Sequence, residues 1–126
     1  MFDQTKAFSG FSVKDLGEAK KFYEEVLGLE VTETNMGLEI PLHGSSVFIY
    51  EKPNHEPATF TVLNFLVENI EAAIDDLVAK GVVFERYEGM PAEQDERGIL
   101  RGKATGDGPD IAWFTDPSGN VFSVMC

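Results

Sequence analysis

The chain repeats itself. Val13-Lys14-Asp15-Leu16 returns as Val67-Glu68-Asn69-Ile70, 54 residues later, and Gly28 is echoed by Gly81 at an offset of 53. Each copy opens on strand-like residues, Phe8 to Val13 and Phe60 to Val67, and passes through a polar pair into a helical stretch. In the first helix, about Leu16 to Leu27, Leu16, Ala19, Phe22, Tyr23, Val26 and Leu27 recur at three-and-four spacing, which predicts one buried face. Ile70, Ala73, Ile74, Leu77 and Val78 do the same over about Ile70 to Ala79. Asp15 and Asn69 stand where an N-cap belongs, and the two glycines where a left-handed stop belongs. A repeat of this length restricts the fold to two copies of one small unit.

Shorter strands come after each helix. In the first half they are expected at about Glu30 to Thr34, Gly37 to Leu42 and Val47 to Glu51, with turns at Asn35-Met36 and His43-Gly44-Ser45. The two prolines of residues 52 to 58 mark the linker between halves. The second half is read as a strand over Val82 to Tyr87, a long polar loop from Glu88 to about Pro109, and two closing strands. Those two, Asp110 to Thr115 and Val121 to Met125, flank the turn formers Asp116-Pro117-Ser118-Gly119-Asn120 and predict a hairpin. The expected class is α+β, with β-α-β-β-β occurring twice: module one over about 5–52, a linker at 53–58, and module two over about 59–126.

Charge and composition exclude several functions. Ten basic against 22 acidic side chains leave a net charge of −12 with no basic cluster, so no nucleic-acid partner is expected. No apolar run nears the roughly 20 residues a membrane span needs, and the N-terminus lacks the plan of a signal peptide. With Cys126 as the only cysteine, an internal disulfide is impossible and a cytoplasmic home is expected. The acids either attract a cationic ligand or serve solubility, and their dispersal favours solubility.

The stretch FSVKDLGEAKKFYEEVLGLEV, followed by the terminal DPSGNVFSV, resembles the vicinal oxygen chelate superfamily: glyoxalases, bleomycin-resistance proteins, fosfomycin-resistance enzymes and extradiol dioxygenases. The resemblance implies two βαβββ modules whose sheets curl into a ligand cup, formed within one chain or across a homodimer. It also implies metal ligands at four strand positions, which fall here on Phe8, near Ile49, on Val62 and on Ser123. None of these side chains suits a divalent ion, so no metal and no cofactor are expected. His43 in a turn and His55 in the linker are placed outside the cup; a shifted site using Glu51 and Asn64 is poor in ligands. Cys126 has no basic neighbour in sequence, GILRGKATGDG does not follow a strand and open a helix, and Ser45-Ser46 reads as turn chemistry.

Alternation then gives a cup lining. Position 8 brings Gly10 and Ser12; position 49 brings Val47 and Glu51; position 62 brings Phe60, Asn64 and Leu66; position 123 brings Val121 and Met125. Tyr87 and Met90 lead into the long loop as a lid, and the face taken by Trp113 is left open. Arg97 and Arg101 are either solvated or reach over the cup to an anion. The same apolar residues equally suit a filled core. The leading expectation is a metal-free binder of an aromatic or cationic small molecule, with Trp113, Phe60 and Phe8 stacking a planar group. Its rivals are a metal-dependent lyase, isomerase or dioxygenase with a relocated site, and a structural or regulatory module with a filled cup.

Overall fold

Burial along the first strand follows the alternation of its side chains. In β1 (Ser9–Val13), Phe11 and Val13 are buried, whereas Gly10 is exposed and Ser12 half-buried. The computed structural model describes residues 1–90 and 93–126 and divides the chain into two units, Met1–Pro57 and Ala58–Cys126.

In the first unit β1 leads into α1 (Leu16–Lys21), then β2 (Thr32–Glu33), β3 (Leu38–Leu42) and β4 (Ser45–Glu51). They form a mixed sheet in the order β1-β4-β3-β2, with β1 parallel to β4 and the other pairs antiparallel. Asp15 caps α1 by accepting the Glu18 N–H at 2.9 Å. The helix closes on a π turn, Phe22–Val26, where the Leu27 N–H reaches five residues back to Phe22 O at 3.1 Å. Phe11, Val13, Leu38, Ile40, Val47 and Ile49 are buried with Ala19 and Tyr23 of the helix.

The second unit repeats the plan: β5 (Thr61–Leu66), α2 (Ile70–Ala79), β6 (Leu100–Arg101), a one-turn helix α3 (Gly102–Thr105), β7 (Asp110–Thr115) and β8 (Val121–Met125). The sheet order is β5-β8-β7-β6, and β5 again runs parallel to its neighbour. Asn69 caps α2 through the Ala72 N–H at 2.9 Å. Ile70, Ile74 and Leu77 are buried with Ala112, Phe114, Phe122 and Val124, and the rings of Phe84, Phe114, Phe122 and Phe65 touch in series at 5.6 to 6.0 Å. The fold is α+β, two four-stranded mixed sheets each carrying helices.

The second half departs from expectation after α2. Val82 to Tyr87 is not a strand; it makes one sheet-like bond, Glu85 N–H to Trp113 O at 2.8 Å. The Val82 N–H returns to Leu77 O at 3.0 Å, and the side-chain amide of Gln94 accepts the Tyr87 N–H at 2.7 Å and donates to Glu85 O at 3.1 Å and Gly98 O at 2.7 Å. The segment expected as a loop, of which residues 91–92 lie outside the described residues, instead supplies the edge strand β6, and Ile99 is fully buried.

Two charged side chains staple that segment. Asp95 accepts the N–H groups of Arg97 and Ile99 at 2.9 Å each, and Arg101 reaches Glu71 at 2.8 Å, Asp95 at 3.0 Å and Asp110 at 3.2 Å. Arg97 pairs with Asp75 of α2 at 3.1 Å. Both arginines are therefore structural, spent on carboxylates of their own unit. The hydrogen bond from Arg101 leads the causes that hold Glu71 below the usual carboxylate range. Burial pushes Asp95 up, but the amides of Ile99 and Arg97, with Arg101, bring it below that range.

Candidate functional site

Paired residues in a ladder share a sheet face, so register assigns each candidate to one side. In the second unit Ser123 pairs with Asn64 on β5 and with Trp113 on β7. All three lie on the helix-free face, opposite buried Phe114, Phe122 and Val124. The Trp113 Nε1–H donates to Thr61 Oγ1 at 3.1 Å, and the fully buried Ser123 hydroxyl donates to Asn64 Oδ1 at 2.5 Å. The Tyr87 ring meets the Trp113 indole edge-on, with centroids 5.5 Å apart. Burial, then the nearby Glu85 carboxylate, raises the Tyr87 hydroxyl above its ordinary range, so it stays protonated near neutrality.

Met125 and Leu66, paired with each other, extend this face; Met125 is half-buried and Leu66 exposed. Strict alternation fails nearer the start of β5. A bulge lies between Thr61 and Leu63, with Val62 as the extra residue, and it turns Thr61 toward Trp113. The expectation that 60, 62 and 64 share one parity is corrected accordingly. Phe60, ahead of the strand, is 68% exposed. Tyr87 and Met90 line one cavity of about 510 Å³ together with Arg86, Glu88, Gly89, Glu93 and Gln94.

In the first unit one expectation was out of register by a single residue. Gly10 pairs with Phe48 and Ser12 with Tyr50, while Ile49 pairs with Phe11. Ile49 and Val47 therefore lie in the buried layer under the helix, and Phe48 and Tyr50 occupy the helix-free face. Gly10–Phe48 is the counterpart of Asn64–Ser123, which makes Phe48, not Ile49, the repeat equivalent of Ser123. Glu51 also leaves the expected set: its carboxylate accepts the Leu16 N–H at 3.1 Å, at the start of α1. Phe48 and Tyr50 stack at 6.2 Å and 16°. Phe8 precedes β1 and is 66% exposed.

His55 was missed. The turn at residues 52–55, tied by Lys52 N–H to Val13 O and His55 N–H to Lys52 O at 3.0 Å each, folds the linker back onto the sheet. There the imidazole Nδ1 lies 2.6 Å from the Ser12 hydroxyl. The signal was available only as the pair of prolines around Asn54-His55-Glu56, which says turn but not destination. Cys126 likewise has a basic neighbour that sequence order hides: Lys103 Nζ is 3.5 Å from its sulfur, which itself donates to Glu68 O at 3.3 Å.

The donor set does not fit a divalent ion. Among the described residues no three side chains of His, Cys, Asp or Glu are grouped so that they could hold a metal ion, and the four corresponding strand positions carry Phe8, Phe48, Val62 and Ser123. What the second face offers instead is an aromatic pair beside a short polar row. No helix among the described residues is long and apolar enough to cross a membrane.

A family model described as the Glyoxalase/Bleomycin resistance protein/Dioxygenase superfamily matches residues 8–124. Comparison with curated proteins finds no match. Among solved structures, TnmS3, an antibiotic binding protein from Streptomyces sp. CB03234, is similar at 22% identity and a TM-score of 0.64, with 98% of each chain covered. FosX, a genomically encoded fosfomycin resistance protein from Listeria monocytogenes, is 15% identical with a TM-score of 0.68, covering 99% of this chain and 93% of its own. A glyoxalase family protein from Enterococcus faecalis is 20% identical over 100% of both chains, with a TM-score of 0.65.

Proposed function

The chain belongs to the Glyoxalase/Bleomycin resistance protein/Dioxygenase superfamily, and from that premise we propose that it is a small-molecule binding protein that works without a metal ion. One observation carries the reading. Where a metal-using relative would place an acid, Ser123 is buried and hydrogen-bonded to Asn64, beside the Trp113–Tyr87 pair. A planar ligand stacked on the indole gains about 0.5–1.5 kcal/mol per aromatic contact beyond the area it buries. The neighbouring row of Asn64, Thr61 and Ser123 orients it without supplying a Lewis acid. The antibiotic-binding and fosfomycin-resistance proteins of similar fold support a sequestering or resistance-type role.

In this reading the protein takes an aromatic small molecule and assembles as a homodimer, which light scattering tests. The binding claim is tested by thermal-shift screening against aromatic metabolites, cationic drugs and α-keto acids, alongside elemental analysis of protein purified without chelator. The expected result is a raised melting temperature with an aromatic class and less than stoichiometric metal. Stoichiometric zinc, nickel, manganese or iron would overturn the metal-free reading in favour of an enzyme with a relocated site. A screen in which nothing raises the melting temperature would favour a structural or regulatory module.

A further inference from the structure

We propose that Asn64 sets the specificity of the helix-free face of the second unit, and that the ligand it selects is a neutral planar aromatic molecule bearing a carbonyl oxygen. This rests on the binding reading above and goes further by naming the ligand class. Ser123 anchors the row. Its hydroxyl is fully buried, and its proton goes to Asn64 Oδ1 at 2.5 Å. Were the Asn64 amide turned over, that buried proton would lose its acceptor, an unsatisfied group that proteins avoid. Ser123 therefore holds the carbonyl of Asn64 inward and presents the Nδ2 hydrogens outward from an exposed side chain.

The rest of the row is oriented the same way. Trp113 spends its indole N–H on Thr61 Oγ1, so the Thr61 hydroxyl proton is free to donate. Among the described residues neither that proton nor the Asn64 Nδ2 group has a protein acceptor. The strand residues around Asn64 on this face, Leu66, Trp113, Ser123 and Met125, include no carboxylate, so the row that meets the ligand edge offers donors and no anionic group. Aromatic surface beside outward-pointing donors complements a flat ring system with an acceptor at its edge. A carbonyl oxygen has the two in-plane lone pairs such donors need.

The test uses the full chain, ¹⁵N-labelled. Trp113 is the only tryptophan, so its indole N–H gives a single reporter resonance inside the site. The probes are 2-acetylnaphthalene and 2-ethylnaphthalene, nearly equal in shape and differing in the carbonyl. The wild type is expected to bind the ketone about tenfold more tightly, the effect of one well-made hydrogen bond. Asn64→Asp keeps an acceptor for Ser123 but removes the outward donor, and should abolish the preference; Asn64→Leu removes the donor without adding a charge and should abolish it too. Equal affinities in the wild type, or a preference that survives in both variants, would overturn the assignment and leave the binding reading standing. If neither probe moves the indole resonance, the binding reading fails and this inference with it.

Discussion

The two units share a plan and differ in what their helix-free faces carry. In the first, Gly10 lies beside Phe48 and Ser12 beside Tyr50, with the imidazole of His55 returned onto Ser12. In the second, the equivalent places hold Asn64 beside Ser123 and Leu66 beside Met125, with Trp113 and Tyr87 added from the next strand and from the segment after α2. The repeat thus keeps topology and the choice of buried face. Chemistry is placed by single substitutions on the opposite face, where no packing constraint under the helix has to be met. The units also diverge beyond their helices: the edge strand β2 starts at Thr32, soon after the π turn that ends at Val26, whereas β6 starts only at Leu100, after a segment stapled by Gln94, Asp95 and Arg101.

The sharpest way to break this comparison is to place a charge on either side of one strand. Ile49→Lys puts an ammonium into the buried layer and should cost more than about 4 kcal/mol or prevent folding, whereas Tyr50→Lys on the other face should stay within about 1 kcal/mol. Chemical denaturation of the two variants checks it, and similar losses would refute the register.

The turns make the next contrast. Asp116 is buried and accepts the N–H groups of Ser118 and Asn120 and the Asn120 side-chain amide, at 2.9 to 3.0 Å. Asp116→Ala leaves those donors unsatisfied and should cost about 2–4 kcal/mol by the same measurement. The matching hairpin of the first unit turns through exposed His43 and Gly44, so His43→Ala should cost under about 0.5 kcal/mol.

A smaller effect belongs to the staple. Glu71 and Asp95 have depressed pKa values in the folded chain. A carboxyl whose pKa falls on folding contributes stability above its unfolded pKa and loses it as pH drops through the folded value. Melting temperature should therefore decline on acidification below the ordinary carboxylate range. Arg101→Met should flatten that acid limb while lowering stability at neutral pH, and the neutral-pH loss should shrink in high salt. An unchanged acid limb in the variant would assign the acid sensitivity elsewhere. Smallest and most symmetric are the caps: Asp15→Ala and Asn69→Ala should each cost about 1 kcal/mol, and nearly the same amount.

Much of the scaffold was legible because local rules and packing agree there. Caps at Asp15 and Asn69 and the closing hairpin appear where local rules place them. Each expected helix face supplies buried residues, Ala19 and Tyr23 in the first and Ile70, Ile74 and Leu77 in the second, although Val78, expected on the second face, is exposed. The parity of β8 and of Asn64 and Leu66 was also readable. Reading failed where one residue decides the outcome. Assigning Ile49 to the ligand face was an error of one position, and period-two structure turns such an error into the opposite face. Val62 sits in a bulge, which nothing in Thr61-Val62-Leu63 announces. The polar composition of residues 88–109 suggested a loop with solvated arginines, yet Arg101 pairs with Asp95 and the segment supplies an edge strand.

By itself the sequence determined two copies of one β-α-β-β-β unit and the lack of metal-binding side chains at the expected strand positions, since both depend on residue type and near-neighbour spacing. Only the tertiary structure decided that Trp113 shares a face with Ser123 and Asn64, that His55 meets Ser12, and that Arg101 belongs to Glu71 and Asp110. Those contacts join residues up to 59 positions apart, and their geometry depends on strand register and bulges that no local propensity encodes.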